Sequence, residues 1–254
     1  MRLKALPAFA DNYIWMLSDE SGASIVVDPG DAAPVLEAAR SGLQPVAVLL
    51  THHHDDHIGG VSALLDVWPE LPVIAPSDER IAVATQRTFD QNTLEVSGFS
   101  FETLAVPGHT RSHVAYIGHG IVFCGDTLFS LGCGRMFEGS PAQFSGSLDR
   151  LAGLARPTLV CCGHEYTLAN AAFALAVEPD NVALRTRIEQ VRALRECGQP
   201  SLPSTIADEL ASNPFLRCDQ PTVRAAVETR LGRLPDDRVE TFAELRRWKD
   251  GFRA

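Results

Sequence analysis

No apolar run in this 254-residue chain is long enough to cross a bilayer, so it offers no candidate membrane-spanning helix and no membrane partner is expected. The opening residues, Met1-Arg2-Leu3-Lys4-Ala5, lack the apolar core of a secretory signal, and a cytoplasmic location is expected. Six cysteines (Cys124, Cys133, Cys161, Cys162, Cys197, Cys218) show no CxxC spacing and are too sparse for a disulfide framework. Free thiols are expected, with Cys161-Cys162 packed inside a strand-like run and no cysteine in a nucleophile signature. Basic charge is also scarce: 22 Lys+Arg face 32 Asp+Glu, a formal net charge of -10, which argues against nucleic acid as the main partner. The deficit is uneven. Residues 167–254 hold 13 basic and 13 acidic side chains, so residues 1–166 carry the whole imbalance, together with all eight histidines. An acidic, histidine-rich portion suits cation ligation, and the neutral, Arg-rich tail reads as a separate module.

What is present in abundance is ligand chemistry at one place. Thr51-His52-His53-His54-Asp55-Asp56-His57-Ile58-Gly59-Gly60 packs four histidines and two aspartates into six consecutive positions. The stretch follows the apolar run Val46–Leu50, which reads as a buried strand, and precedes a helix-compatible segment, Val61 to Trp68. Strand, polar turn and helix in that order put the cluster at the C-terminal edge of a sheet, where open α/β sheets place their chemistry. Imidazoles and carboxylates are what borderline divalent metals prefer. There are more donors here than one tetrahedral ion can use, which points to two ions. Alternation makes His52 and His54 a facing pair, and leaves His53 and Asp55 as scaffold.

Strands are expected at 2–6, 12–17, 24–27, 46–50, 72–75, 99–106 and 158–162, with a hairpin from 114–117 and 121–124. Helices are expected at 31–43, capped by Asp31, at 61–68 and at 140–154. Residues 78–95 are polar and ambiguous. Four strand-like runs end in a candidate ligand: the His52 cluster, His109 in Pro107-Gly108-His109-Thr110, Asp126 in Gly125-Asp126-Thr127, and His164 in Gly163-His164-Glu165-Tyr166. Any one alone is readily explained as a satisfied polar residue or a turn cap. Four at corresponding strand ends are not needed for folding and point to a shared site. His113 and His119 have no such placement and read as structural or surface residues. Beyond Tyr166 the texture is helical (168–177, 181–197, 205–212, 220–231, 240–252), with no strand pattern.

THHHDDHIGG at 51–60, PGHT at 107–110, CGDTLF at 124–129 and GHEYT at 163–167 resemble the metallo-β-lactamase superfamily. Within it the chain is similar to glyoxalase II, the hydroxyacylglutathione hydrolases, and Asn213-Pro214-Phe215-Leu216-Arg217 and Leu245-Arg246-Arg247-Trp248-Lys249-Asp250 resemble that family's helical C-terminal region. The resemblance implies an α+β fold: a four-layer αββα sandwich over residues 1–166 that binds metal and catalyses, then an all-helical domain over 167–254 that contributes to glutathione binding. It implies one metal held by His52, His54 and His109 and a second by Asp56, His57 and His164, with Asp126 bridging. Asp56 and Asp126 would act catalytically as ligands of the ions that activate water. Zinc is the expected ion, with iron or manganese suited by the same donors. Arg135, Phe137, Tyr166, Arg246 and Lys249 match the family's glutathione contacts. Arg135 and Phe137 stand where a lysine and a tyrosine are frequent in eukaryotic members, which changes the cation's geometry and removes a hydroxyl.

The implied reaction is hydrolysis of S-2-hydroxyacylglutathione thioesters, S-D-lactoylglutathione to D-lactate and glutathione, the second step of methylglyoxal detoxification. Nothing in the sequence demands a dimer, and a monomer is expected. A thiolate leaving group of parent pKa about 8.5 needs little protonation, so no dedicated general acid is required. Asp28, at another strand end, is the candidate partner that orients a ligand imidazole. The resemblance also makes residues 235–254 a substrate-binding segment whose deletion spares metal content. Rival readings are a glutathione persulfide dioxygenase with a single iron, another metallo-β-lactamase-fold hydrolase, and a non-enzymatic metal-storage or redox-sensing protein.

Overall fold

The apolar run ahead of the histidine cluster forms β4 (Gln44–Leu49), an inner strand of a six-stranded sheet. The structure, a computed structural model, describes residues 1–253, and the chain divides into two compact units: residues 1–105 with 112–125, and residues 106–111 with 126 onward.

In the first unit, β1 (Arg2–Ala8), β2 (Asn12–Ser18) and β3 (Ala23–Val27) form an antiparallel meander. The chain then crosses over through α1 (Ala33–Arg40) so that β4 lies parallel to β3. The short α2 (Asp55–Ile58) and α3 (Val61–Val67) follow, then β5 (Val73–Pro76) and β6 (Gln86–Thr88), both parallel additions. Buried Val35 and Ala38 of α1 and Val61 and Leu64 of α3 share one core with Val26, Val48 and Val73 of the sheet. A second, antiparallel set runs β7 (Thr93–Val96), β8 (Phe99–Ala105), β9 (Val114–Gly118) and β10 (Ile121–Gly125). β8 alternates, with Phe99, Phe101 and Thr103 buried and Ser100 and Glu102 exposed. Tyr116 Oη donates to Leu50 O at 2.8 Å, and the Thr88 and Thr103 hydroxyls meet at 2.7 Å, so the two strand sets are tied face to face.

Two expectations change here. The helix expected from Asp31 to Leu43 is shorter, and its N-cap is Ala32. Asp31 accepts from Ala33 N at 2.9 Å, a turn just ahead of the helix, because Pro34 in the first turn moves the helical start inward. The ambiguous segment 78–95 holds β6 and the first three residues of β7, each too short and polar to show a period.

In the second unit, β11 (Leu128–Phe129) and β12 (Gly132–Cys133) make a tight hairpin. α4 (Pro141–Ala152) opens with a capping box between Ser140 and Gln143, and β13 (Leu159–Cys162) leads into the helices α5 (Thr167–Val177) and α6 (Val182–Glu196). Then come β14 (Ser204–Thr205), α7 (Ile206–Ser212), α8 (Pro221–Leu231) and α9 (Arg238–Gly251). Asn181, Thr205 and Asp237 cap α6, α7 and α9 with side-chain acceptors. The tail is therefore not purely helical: Ser204-Thr205 pairs with β13 as a two-residue strand, too short for any sequence pattern to announce. Phe242 and Leu245 of α9 are fully buried, so that helix is built into the core and deleting the segment expected to bind substrate would remove core packing as well as a substrate contact.

Candidate metal centre

The first unit gathers its donors within one turn. Past β4 the chain stays buried through Leu50, Thr51 and His52 before entering α2. Asp28 accepts from Thr51 N at 2.8 Å and Thr51 Oγ1 at 2.7 Å, and lies 3.0 Å from His57 Nδ1. A carboxylate partner on Nδ1 leaves the His57 lone pair on Nε2, which is 3.6 Å from Asp56 Oδ2. Thr51 gives its one hydroxyl proton to Asp28, so its oxygen accepts from His52 Nδ1 at 3.0 Å. That fixes the His52 lone pair on Nε2, 3.1 Å from His54 Nδ1. The expected pairing of His52 with His54, and Asp28 as the imidazole's partner, both hold. Thr51 has a part that sequence alone did not suggest, although a hydroxyl beside a candidate ligand histidine at a strand end is a usable signal.

His53, Asp55, His113 and His119 are not among the clustered donors. His53 Nδ1 is 3.7 Å from Asp78, whose carboxyl the Arg80 guanidinium holds far below the usual range, with one further hydrogen bond from the Ser112 hydroxyl. Asp55 is exposed in the first turn of α2. His113 is buried and stacks on His52 with ring centres 4.6 Å apart. His119 occupies the β9–β10 turn at φ 54°, its Nε2 accepting from Ser100 N.

The second unit gathers its donors from distant positions. His109 Nδ1 lies 2.8 Å from the Arg135 carbonyl, so it donates there and its lone pair falls on Nε2. That nitrogen is 3.5 Å from Asp126 Oδ2, and His164 Nε2 is 3.3 Å from the same oxygen. Two imidazole nitrogens facing one carboxylate oxygen is how a shared ligand would be presented. Nitrogen and oxygen donors bound to zinc at about 2.0–2.2 Å in a tetrahedron lie roughly 3.4 Å apart. The observed spacings and the tautomers fixed from behind both fit divalent ions.

Around these donors the second unit sets aromatic and cationic side chains. Tyr166 stacks on His164 with ring centres 4.7 Å apart and planes 3° off parallel. Phe137 is 59% exposed and meets the His109 ring edge-on. Arg135 is exposed and reaches toward Asp250, 3.6 Å away, which also takes Arg246 Nη2 at 3.0 Å. Arg246 is buried, and its Nη1 donates to the Cys133 and Gly134 carbonyls. Lys249 Nζ donates to Ala169 O, and partial burial lowers its pKa to about 8. None of the six cysteines is in a disulfide. Burial pushes Cys133 up to about 11, which keeps it a protonated, unreactive thiol.

Residues 10–164 match the model of the metallo-beta-lactamase superfamily, and residues 165–252 match that of the hydroxyacylglutathione hydrolase C-terminus. A curated hydroxyacylglutathione hydrolase from Xanthomonas campestris pv. campestris (strain B100) is 58% identical over 255 residues, covering 100% of both chains. Among solved structures, ETHE1 from Myxococcus xanthus superposes with a TM-score of 0.67 at 24% identity, over 99% of this chain and 91% of that one; at that identity the likeness concerns the fold alone. A protein crystallised in a di-iron-bound form superposes with a TM-score of 0.53 at 29% identity, over 65% of this chain and 92% of that one.

Proposed function

The chain belongs to the hydroxyacylglutathione hydrolases of the metallo-β-lactamase superfamily, and from that premise we propose how its own residues hydrolyse a glutathione thioester. The reading assigns residues 1–166 to catalysis and residues 167–254 to a helical domain that helps bind glutathione. It brings the two donor sets together on two divalent ions: His52, His54 and His109 on one, Asp56, His57 and His164 on the other, Asp126 on both. Zinc is the ion proposed, since the nitrogen and oxygen donors suit it, and iron or manganese would use the same ligands. A relative in a di-iron-bound form supports a pair. The observation that carries the reading is the single Asp126 oxygen facing both His109 and His164 at 3.5 and 3.3 Å.

Divalent ions bound there would lower the pKa of the attacking water and polarise the thioester carbonyl. The protein's own part is to fix donors before substrate arrives. Asp28, Thr51 and the Arg135 carbonyl set three imidazole tautomers, so the lone pairs are already aimed. The departing thiolate, of parent pKa about 8.5, leaves without a dedicated acid. Glutathione carries carboxylates, and Arg135 and Lys249 are the cations proposed to meet them. Phe137 and Tyr166 would supply apolar walls. Arg246, buried on the backbone of residues 133–134, would serve by shaping the strand below Arg135. The reading takes the protein as a cytoplasmic monomer with no membrane partner; no helix is long and apolar enough to cross a membrane.

Metal analysis and S-D-lactoylglutathione hydrolysis, measured on one sample, test this. Near two ions per chain with turnover in proportion is expected. Turnover unaffected by complete metal removal would overturn it. The persulfide dioxygenase reading expects one iron and oxygen uptake with glutathione persulfide, and the match of residues 165–252 to the hydrolase C-terminus favours the hydrolase.

A further inference from the structure

We infer that Glu209, Asn213 and Asn170 are positioning residues that hold the ligands His109, Asp126 and His164 in place by clamping the β11–β12 hairpin; this rests on the proposed metal-binding role of those three residues. The hairpin is a buried loop. Leu128, Ser130 and Leu131 are almost wholly shielded, so its backbone polar groups need protein partners. The partners are side chains from the helical tail. Leu131 N donates to Glu209 Oε2 at 2.8 Å. Asn213 Nδ2 donates to Phe129 O at 3.1 Å and Gly132 O at 2.9 Å, and also reaches Glu209 Oε2 at 3.0 Å. Asn170 Nδ2 donates to Ser130 O at 3.1 Å. Four consecutive residues are thus each gripped once. Leu131 holds φ 60°, a conformation uncommon for a side chain of its size, while packing among Ala171, Ala174, Leu184 and Ile188. Burial pushes the Glu209 carboxyl upward in pKa, against the hydrogen bonds it accepts. A buried carboxylate of this kind is costly unless its network is satisfied, and the proposed chemistry has no use for it.

Each end of the hairpin touches a ligand. Asp126 precedes it, and Gly134 N closes it on Thr127 O at 3.2 Å. A Cβ at Gly134 would lie 1.9 Å from Asp126 O, so the returning backbone rests directly on the backbone of the ligand. The next residue, Arg135, presents the carbonyl that fixes His109. At the tip, the Phe129 ring meets His164 edge-on at 5.9 Å and Tyr166 at 5.3 Å. A shift of the hairpin therefore moves the supports of all three ligands together.

Full-length, metal-loaded Asn213→Ala, Glu209→Gln and Asn170→Ala test this by chelator competition with zinc, by amide exchange over residues 127–135, and by KM for S-D-lactoylglutathione. Removing a partner behind a ligand typically weakens metal retention about 10- to 100-fold. That loss is expected for Asn213→Ala and Glu209→Gln, and a smaller one for Asn170→Ala, which gives up a single bond. Faster exchange should stay within the hairpin, KM should stay within about twofold of the parent, and melting should stay cooperative. Unchanged metal retention overturns the inference. So does a loss that appears only with faster exchange throughout the second unit, or a failure of all three variants to fold, since each makes the cluster a general prop. A parent protein that holds two ions yet leaves the thioester intact would sink the proposed activity and leave this result readable.

Discussion

In the first unit, four ligand candidates come from one stretch, His52 to His57, and a single buried carboxylate, Asp28, steadies the stretch from behind. In the second unit, three ligand candidates come from positions 109, 126 and 164; a backbone carbonyl holds one, a ring stacks on another, and the inferred clamp acts on the hairpin beside them. Local chain geometry delivers the first set almost without help, because neighbours in a turn cannot move far apart. Tertiary structure must deliver the second. Damage to a support should therefore loosen contiguous donors in the first unit and, through the hairpin, donors far apart in sequence in the second.

The sharpest way to break that contrast is to remove one ligand from each side. Asp126→Ala should reduce kcat/KM about 1,000-fold or more and lower bound metal toward one ion or fewer, since several kcal/mol of charge stabilisation are lost. His54→Ala should cost less than Asp126→Ala and leave the second ion bound. Equal effects on activity and metal content would erase the proposed bridging role. Next in size, Asp28→Asn should weaken metal retention about 10- to 100-fold by leaving His57 free to take the wrong tautomer, with no change in amide exchange beyond residues 51–57. Exchange rising across the whole unit would show that Asp28 holds the fold and not the ligand.

Substrate contacts should separate from both. Lys249→Ala should raise KM for S-D-lactoylglutathione about tenfold with kcat within about twofold, the loss of one charge-assisted contact. Because burial sets the Lys249 pKa at about 8, the cation is present below that pH and lost above it. KM should therefore climb as pH rises through 8, and Lys249→Arg should flatten the climb; a flat profile in the parent removes Lys249 from the contact. The smallest effect is expected at Asp237, whose side chain accepts from Glu240 N at the start of α9. Asp237→Ala should cost about 1 kcal/mol in melting stability, with metal content and KM unchanged.

Which parts were legible in the sequence follows the same divide. The ligand cluster could be read because its donors are contiguous and follow an apolar strand. His109, Asp126 and His164 were legible only as a pattern of strand ends, and their distribution between two ions came from family likeness. Helices α5 to α9 showed themselves through period and punctuation, whereas β14 was too short to show any. The Glu209–Asn213–Asn170 grip was invisible. In sequence Glu209 and Asn170 look like any solvated helix face and Asn213 like a helix end, and only packing reveals that Glu209 accepts from a backbone amide while the two asparagines donate to carbonyls. Arg246 is a different case: family likeness matched it to a glutathione contact, and its guanidinium is buried against two backbone oxygens.

The contact beneath the histidine turn has a consequence for how such a chain can change over time. A Cβ at Gly30 would lie 1.9 Å from Asp56 O, and Asn12 Nδ2 reaches Asp56 Oδ2 at 2.9 Å from the neighbouring strand. Main chain is seated on main chain there, so no rotamer can absorb an error in spacing. Drift in the surrounding core leaves that seat untouched, while a single residue inserted between Val27 and Gly30 would unseat the turn outright. Selection acting on this corner should tolerate many exchanges of side chain and almost no change of length.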